Sequence, residues 1–504
     1  MSSWNYRTCP TTGFKIHDKA ETLIQFNAVT SIVFLLVGGI VGLTLALTRW
    51  QAVHLLNDEW FYRFLSLHGI AMLVAWIIFF EMAVLYFASA VILNTRLAAP
   101  WVGWLQYLLM LGGGALVAVM ILTGNADVMF TSYVPLKAHH LYYLGIIVFA
   151  VGAILGCVVF FATLIVAKHE KTYTGSLPLV TFGAAAAAII AIITLSCGAI
   201  VFIPTWLWAA GIIPVMDSEV YRLLFWGFGH SSQQINVCAM VSIWYLLGTL
   251  TVGAVPVNEK VCRTAFVLYI LFINIASEHH LLVDPGLSAA HKSWNTGYFM
   301  HLAVLASMIH AFSVPAATEV ALRKQGHTRG AFEWLKKAPW GNPAFSSLVL
   351  SLIGFGFLGG ITGVIYGTEQ INIIAHNNLR IPGHFHATVV AGTTMAFMGA
   401  TWYVLPLIFR RQVVAPGLAS LQPWLFGGGM MVFSTAMMFA GGFGVSRRSW
   451  DMNGVDGPFQ VNFGPIVDLS LAVMGISAVV AALGGALFCL LAVATLLFGK
   501  KINA

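Results

Sequence analysis

Six of the sixteen histidines are singled out by their place inside long apolar stretches, where an ionisable side chain is costly and marks function. His68 lies in SLHGIAMLVAW, His230 in FGHSSQQIN, His279 and His280 in SEHHLLVDPG, and His384 and His386 in PGHFHATVV. Imidazole is the commonest protein ligand for metals and suits haem iron, non-haem iron and copper alike. Spacing sorts the six. Side chains two apart on a helix point about 200° apart, so His384 and His386 face opposite sides of one helix and can serve two separate centres. His279 and His280, about 100° apart on a helix, can grip one ion only where the helix ends and the backbone adapts. His230 would complete a three-histidine site.

The elements that must position these residues are transmembrane helices. Hydrophobic residues make up 59% of the 504 and charged residues only 9%, against about 25% charged in soluble proteins. The chain is read as an all-α integral membrane protein of about twelve spans, near 26–48, 62–94, 102–123, 138–167, 178–208, 221–253, 263–283, 295–321, 345–368, 382–409, 420–443 and 465–498. Each supplies the roughly 20 apolar residues that a bilayer crossing needs. With the N-terminus inside, 17 of the 25 Lys and Arg fall on the inner side, as the positive-inside rule requires. Both termini are then expected in the cytoplasm, in a bacterial inner membrane, and the net charge of +7 needs no nucleic acid to explain it. In this orientation the six histidines from four spans share one depth, in the outer part of the membrane. Residues 1–504 are expected to form one domain, with no repeat and no cleavable signal peptide.

Other residues bear on chemistry less directly. Cys9, Cys157, Cys197, Cys238, Cys262 and Cys489 show no CxxC spacing and read as apolar packing residues. Glu81, thirteen residues after His68, lies about 20 Å nearer the cytoplasm at 1.5 Å per residue. It either starts a proton route or lines an internal water pocket.

The motifs TSYVPLKAHHLYYLG, HHLLVDPG, APWGNPAF and AHNNLRIPGHFHATV resemble the haem–copper oxygen reductases and nitric oxide reductases, and are most similar to the B-type oxygen reductases. The resemblance covers nearly the whole chain. It implies that His68 and His386 ligate a low-spin haem, that His384 is the proximal ligand of a high-spin haem, and that His230, His279 and His280 hold a second metal opposite its open face. It further implies that Arg447 and Arg448 (VSRRSW) hold haem propionates, for which planar, fork-shaped guanidinium groups are suited. His376 and Asp284, in outer loops, would belong to a propionate or water network.

One departure bears on substrate. Oxygen reductases of the family usually carry a tyrosine four residues after the first metal-binding histidine, joined to it and able to give an electron for O–O cleavage; here the residue is Gln234. The C-type alternative, a tyrosine about six residues before the histidine pair, is Ile273 here, with Tyr269 a turn farther away. Coupling two nitric oxides takes only two electrons, so nitric oxide reduction to nitrous oxide is expected, with dioxygen reduction as the alternative. The known nitric oxide reductases have Glu at the position of Gln234. The second metal is therefore either copper held by three histidines or iron completed by Glu278, which otherwise serves as a proton relay or faces an outer cavity.

Twelve spans alone would also suit a cofactor-free transporter, but such a protein has no reason to gather six histidines at one depth. The sequence has neither a cytochrome-c haem motif (CxxCH) nor a cysteine pair for a dinuclear copper centre, so electrons must arrive from a partner. By resemblance this is a membrane-anchored, cupredoxin-like subunit II fed by cytochrome c, with a quinol donor as the alternative.

Overall fold

A chain in lipid must satisfy its backbone polar groups internally, and apart from a short hairpin pairing Tyr6–Thr8 with Lys15–His17 the structure is helical. The computed structural model describes residues 5–10, 12–453 and 461–502. Among these, eleven helices are long and apolar enough to cross a membrane. In chain order with one shorter helix they are α1 (Asp18–Arg49), α2 (Asp58–Val91), α3 (Pro100–Leu122), α4 (His140–His169), α5 (Leu179–Ala209), α6 (Ser218–Val252), α7 (Glu259–Ile275), α8 (Ala289–Lys324), α9 (Pro343–Tyr366), α10 (Arg380–Ile408), α11 (Pro416–Gly442) and α12 (Pro465–Phe498).

The difference from twelve continuous spans falls at α7. Its 17 residues cover about 25 Å at 1.5 Å per residue, short of a hydrocarbon core of about 30 Å. The expected span over 263–283 instead breaks after Ile275, and a single 3-10 turn, Glu278–Leu281, carries the two histidines.

Local signals set the helix ends. Asn57 accepts from the Trp60 N–H ahead of α2, Asp217 from those of Glu219 and Val220 ahead of α6, and Asn342 from Ala344 and Phe345 ahead of α9, each satisfying donors that a helix start leaves free. Gly253, at φ 71°, closes α6 in the left-handed geometry that glycine tolerates.

Three helices form the interior. In α2, α6 and α10, 78% of the most apolar stretch is buried, against 22–61% in the other candidate spans. These three carry His68, His230, and the pair His384 and His386. Two are also irregular: π-helical turns cover Ala71–Trp76 in α2 and His386–Thr394 in α10, a distortion that often accompanies functional sites. Around this interior, neighbouring helices pack pairwise through small residues, as membrane helices do. On α3, a Cβ at Gly113 would meet the Gly145 carbonyl oxygen and the Phe149 nitrogen of α4 at 2.6 Å, while one at Gly112 would meet nothing within 4 Å.

Gly113→Ala should therefore force α3 and α4 apart and lower the Tm. Gly112→Ala should leave it unchanged or raise it, since alanine favours a helix over glycine by about 1 kcal/mol. Equal shifts in a thermal melt of the two purified variants would contradict this packing.

Candidate metal centre

His230 lies on α6, and the break after α7 swings His279 and His280 toward it. One ligand nitrogen from each of the three lies within 4.8 Å of the other two. His230 Nδ1 is 3.2 Å from His280 Nε2, and the Trp226 ring stacks on His280 at 3.8 Å between centroids. His279 directs Nδ1 at the Ala276 carbonyl, 2.9 Å away. That contact makes Nδ1 the N–H donor and leaves Nε2 unprotonated, the form a metal requires. Two adjacent histidines thus serve one site because they sit on a 3-10 turn beyond the helix end.

The same tautomer logic governs the other ligand candidates. His68 Nδ1 faces the Gly38 carbonyl at 2.9 Å and His386 Nδ1 the Pro382 carbonyl at 2.6 Å, so each has a free Nε2. Their rings lie 6.1 Å apart and within 10° of parallel, which leaves room for one metal between them at a metal–imidazole bond of about 2 Å. Their cavity, about 290 Å³, is lined by Gly42, Met72, Phe426 and Phe433. A Cβ at Gly42 would come within 2.6 Å of His68 Cε1, so α1 approaches the ring edge closely. His384 points the other way on α10, as the two-residue spacing predicts. It shares a cavity of about 180 Å³ with His230, His279 and His280, and its Nδ1 contacts Thr362 Oγ1 at 3.0 Å.

At the edge of this cavity sits a basic cluster. Arg447 and His376 both line the cavity. Burial, followed by the neighbouring Arg448 cation, pulls Arg447 down to about 9. Burial, followed by the Arg447 cation, pulls His376 down to about 4, so its imidazole is neutral at pH 7. Arg447 Nε is buried without a hydrogen-bond partner, and Arg448 donates to Thr131 Oγ1 at 3.3 Å. A neutral histidine beside an electropositive, incompletely satisfied pair is a setting for carboxylate groups. The donor sets and this cluster therefore fit two haems with propionates toward Arg447 and Arg448, and one metal among three imidazoles.

One expectation requires correction. Glu278 contacts His291 Nε2, and its backbone N–H is held by Asn295 Oδ1 at 3.1 Å, so the turn carries its carboxylate away from the three nitrogens rather than completing their shell. Gln234 does lie one turn from His230, but its Nε2 is 3.3 Å from His230 Nε2, while His230 Nδ1 is the nitrogen facing His280. The amide thus contacts the far side of the His230 ring, and Gln234 lines the same cavity as the three histidines. Tyr269, expected a turn away, lines the cavity, with its hydroxyl 2.8 Å from Ser307 Oγ. The side chain of Ile273 lies outside the described residues.

Sequence reading missed what holds the site together. Arg222 and Asp284 form a bidentate salt bridge at 2.6 and 2.7 Å, tying α6 eight residues before His230 to the turn four residues after His280. The Arg222 guanidinium also lies 4.5 Å from the Tyr133 ring centre. Arg49, buried at the end of α1, donates to the carbonyls of Ser446 and Arg447, and the Arg447 N–H donates to the Asn377 carbonyl at 3.1 Å. Arg222 was legible only as an intramembrane-edge cation without a partner in its own motif, and Arg49 carried no signal beyond its place in a last helical turn.

Fold and interior together define a multi-pass membrane protein whose three most buried helices present imidazoles to common cavities. Over residues 22–497 the chain matches the family described as Cytochrome C and Quinol oxidase polypeptide I, and it belongs to that family, the haem–copper oxidase subunit I oxidoreductases. Cytochrome c oxidase subunit 1 of Thermus thermophilus is 30% identical over 400 residues, covering 77% of this chain and 69% of its own. Cytochrome c oxidase subunit 1 of Synechocystis sp. is 23% identical over 441 residues, covering 83% and 75%. A solved structure, described as a cryo-EM structure of a heme-copper terminal oxidase dimer, matches with a TM-score of 0.90 at 25% identity, covering 97% of this chain and 86% of its own.

Removing one partner of a part-buried ion pair strands the other charge, whereas removing both restores part of the loss. Asp284→Ala should lower the Tm by an amount that Arg222→Met partly recovers in the double variant. Additive losses in that cycle would show that the bridge does not tie α6 to the histidine turn.

Proposed function

We propose that the chain is the catalytic subunit of a respiratory reductase that converts nitric oxide to nitrous oxide. The observation that carries this reading is Gln234. Its amide occupies the space beside His230 Nε2 where a phenol would be needed to donate an electron to dioxygen, and an amide can offer hydrogen bonds but no electron. The balanced reaction, two nitric oxides with two electrons and two protons giving nitrous oxide and water, needs no such donor.

In this reading His68 and His386 hold the low-spin haem, His384 the high-spin haem, and His230, His279 and His280 a second metal. Three nitrogens, with no carboxylate grouped with them among the described residues, favour copper over iron there. When bound, these groups supply electron transfer and the coordination positions at which the gas is reduced. The chain's own residues fix their ligands. The carbonyls of Gly38, Ala276 and Pro382 set the tautomers of His68, His279 and His386, and Thr362 orients His384. Gln234 contacts the nitrogen of His230 that faces away from His280 and thereby fixes the ring. Arg447 and Arg448 neutralise propionates, with Arg49 holding the backbone from which they project.

Electrons would come from a membrane-anchored, cupredoxin-like subunit II supplied by cytochrome c, or from quinol, in a bacterial inner membrane with both termini cytoplasmic. Reduction of dioxygen is the second reading, and two observations favour it. The relatives compared above carry the name cytochrome c oxidase subunit 1, and Tyr269 lines the site cavity.

His68→Ala or His386→Ala should abolish the low-spin haem signal in the optical spectrum and spare the high-spin one, with His384→Ala giving the reverse; an unaltered low-spin spectrum in either of the first two variants would refute the axial assignment. With one electron donor for both gases, the wild-type complex should reduce nitric oxide faster than dioxygen. Gln234→Glu should change nitric oxide turnover by altering the hydrogen bond to His230. Rapid dioxygen turnover with negligible nitrous oxide production would establish the second reading instead.

A further inference from the structure

Gln233 lies three residues after His230 on α6, so the two side chains share a helix face, and both line the cavity of about 180 Å³ that also takes in His279, His280 and His384. The polar neighbours of Gln233 there are engaged. Gln234 Nε2 meets His230 Nε2, the Tyr269 hydroxyl meets Ser307, and Thr388 bonds back to the carbonyls of His384 and Phe385. Gln233 differs. Its Oε1 is buried without a hydrogen-bond partner, and its amide bonds to none of the described residues. The two ends of a side-chain amide exchange places by a flip, so one end stays unmet in either orientation. Leaving such a group unpaired is costly, and nearly all buried polar atoms have a partner, within the protein or outside it. An amide serving only to tie α6 to another helix would show that bond. Asn372 Oδ1 and Arg447 Nε also line the cavity without partners, but the first can only accept and the second belongs to the cluster suited to propionates.

We infer that Gln233 is a substrate-contacting residue whose side-chain amide donates a hydrogen bond to the oxygen of the gas held between His384 and the three-histidine site. The inference rests on gas reduction at that centre, and it holds for either gas, since nitric oxide and dioxygen both present an oxygen. Few other donors are free to do this. The Nδ1 atoms of His279 and His384 are engaged by the Ala276 carbonyl and by Thr362, and the rest of the lining includes the apolar Val237, Phe355 and Val389. Reduction adds electrons to the gas, and part of the added charge collects on oxygen. A neutral donor already in place stabilises that charge as it develops, without reorganisation at the moment of reaction. No bond of Gln233 breaks. The amide offers a hydrogen bond and keeps its protons, while the electrons and protons enter as in the balanced reaction given above.

The test is infrared spectroscopy of carbon monoxide on the fully reduced complex, joined to steady-state turnover. A hydrogen-bond donor polarises carbon monoxide and lowers its stretching frequency, and exchange of the donor's protons for deuterons moves the band. Wild type should therefore show a band that shifts in D₂O. Gln233→Met, similar in length but without a donor, should keep both haem spectra, raise the frequency and lose the D₂O shift. Its kcat should fall by on the order of a hundredfold with KM little changed, as for a contact made chiefly in the transition state. An unaltered carbon monoxide band in Gln233→Met overturns the inference, as does wild-type kcat. A wild-type band insensitive to D₂O overturns it too, and that measurement needs no variant to fold. Because carbon monoxide serves as probe whichever gas is the substrate, failure here is distinct from failure of the nitric oxide reading.

Discussion

An imidazole buried in a bilayer needs a partner for each ring nitrogen, and the architecture follows from meeting that need. Backbone carbonyls take one nitrogen of His68, His279 and His386, at 2.6 to 2.9 Å, and the second nitrogen is left unprotonated, the form a metal requires. Helix carbonyls are normally consumed by the helix itself. The ones used here belong to places where the ladder is irregular or a neighbouring helix comes close. Ala276 caps a broken helix, Pro382 precedes a π-helical turn, and Gly38 lies where a Cβ would clash with Met72. Distorted helices are thus the means by which an apolar bundle holds bases in defined tautomers.

The same requirement explains why one helix can serve two centres. On α10, two residues of spacing turn His384 and His386 to opposite cavities, and the rigid backbone between them fixes the separation of those cavities. The third element is electrostatic. Arg222, Arg447 and Arg448 crowd the rim of the site around Tyr133 and His376, and their like charges are tolerable there because Asp284 meets one of them and bound carboxylates would meet the others.

Much of this was legible in the sequence, for identifiable reasons. Histidines in apolar stretches are rare enough to be read one by one, and helical geometry assigned His384 and His386 to different faces. Counting Lys and Arg led to the expectation of one membrane depth for all six histidines. Gln234 and Glu278 were harder, since the role of each depends on which nitrogen of His230 faces inward and on where α7 stops, and neither follows from residue spacing. The salt bridge from Arg222 to Asp284 joins residues 62 positions apart. Arg49 meets Ser446 and Arg447 across 397 and 398 positions. Such pairings exist only once the bundle has closed, so no local pattern announces them.

The central claim is that the six histidines divide into an axial pair, a single proximal ligand and a three-nitrogen site. Electron paramagnetic resonance of the oxidised complex, with haem and metal counted per chain, tests it most directly. The account predicts two haems and one further metal ion, one haem giving a low-spin bis-imidazole signal and the other high-spin and coupled to the neighbouring metal. A single haem per chain, or a low-spin signal from a non-histidine axial ligand, would contradict it.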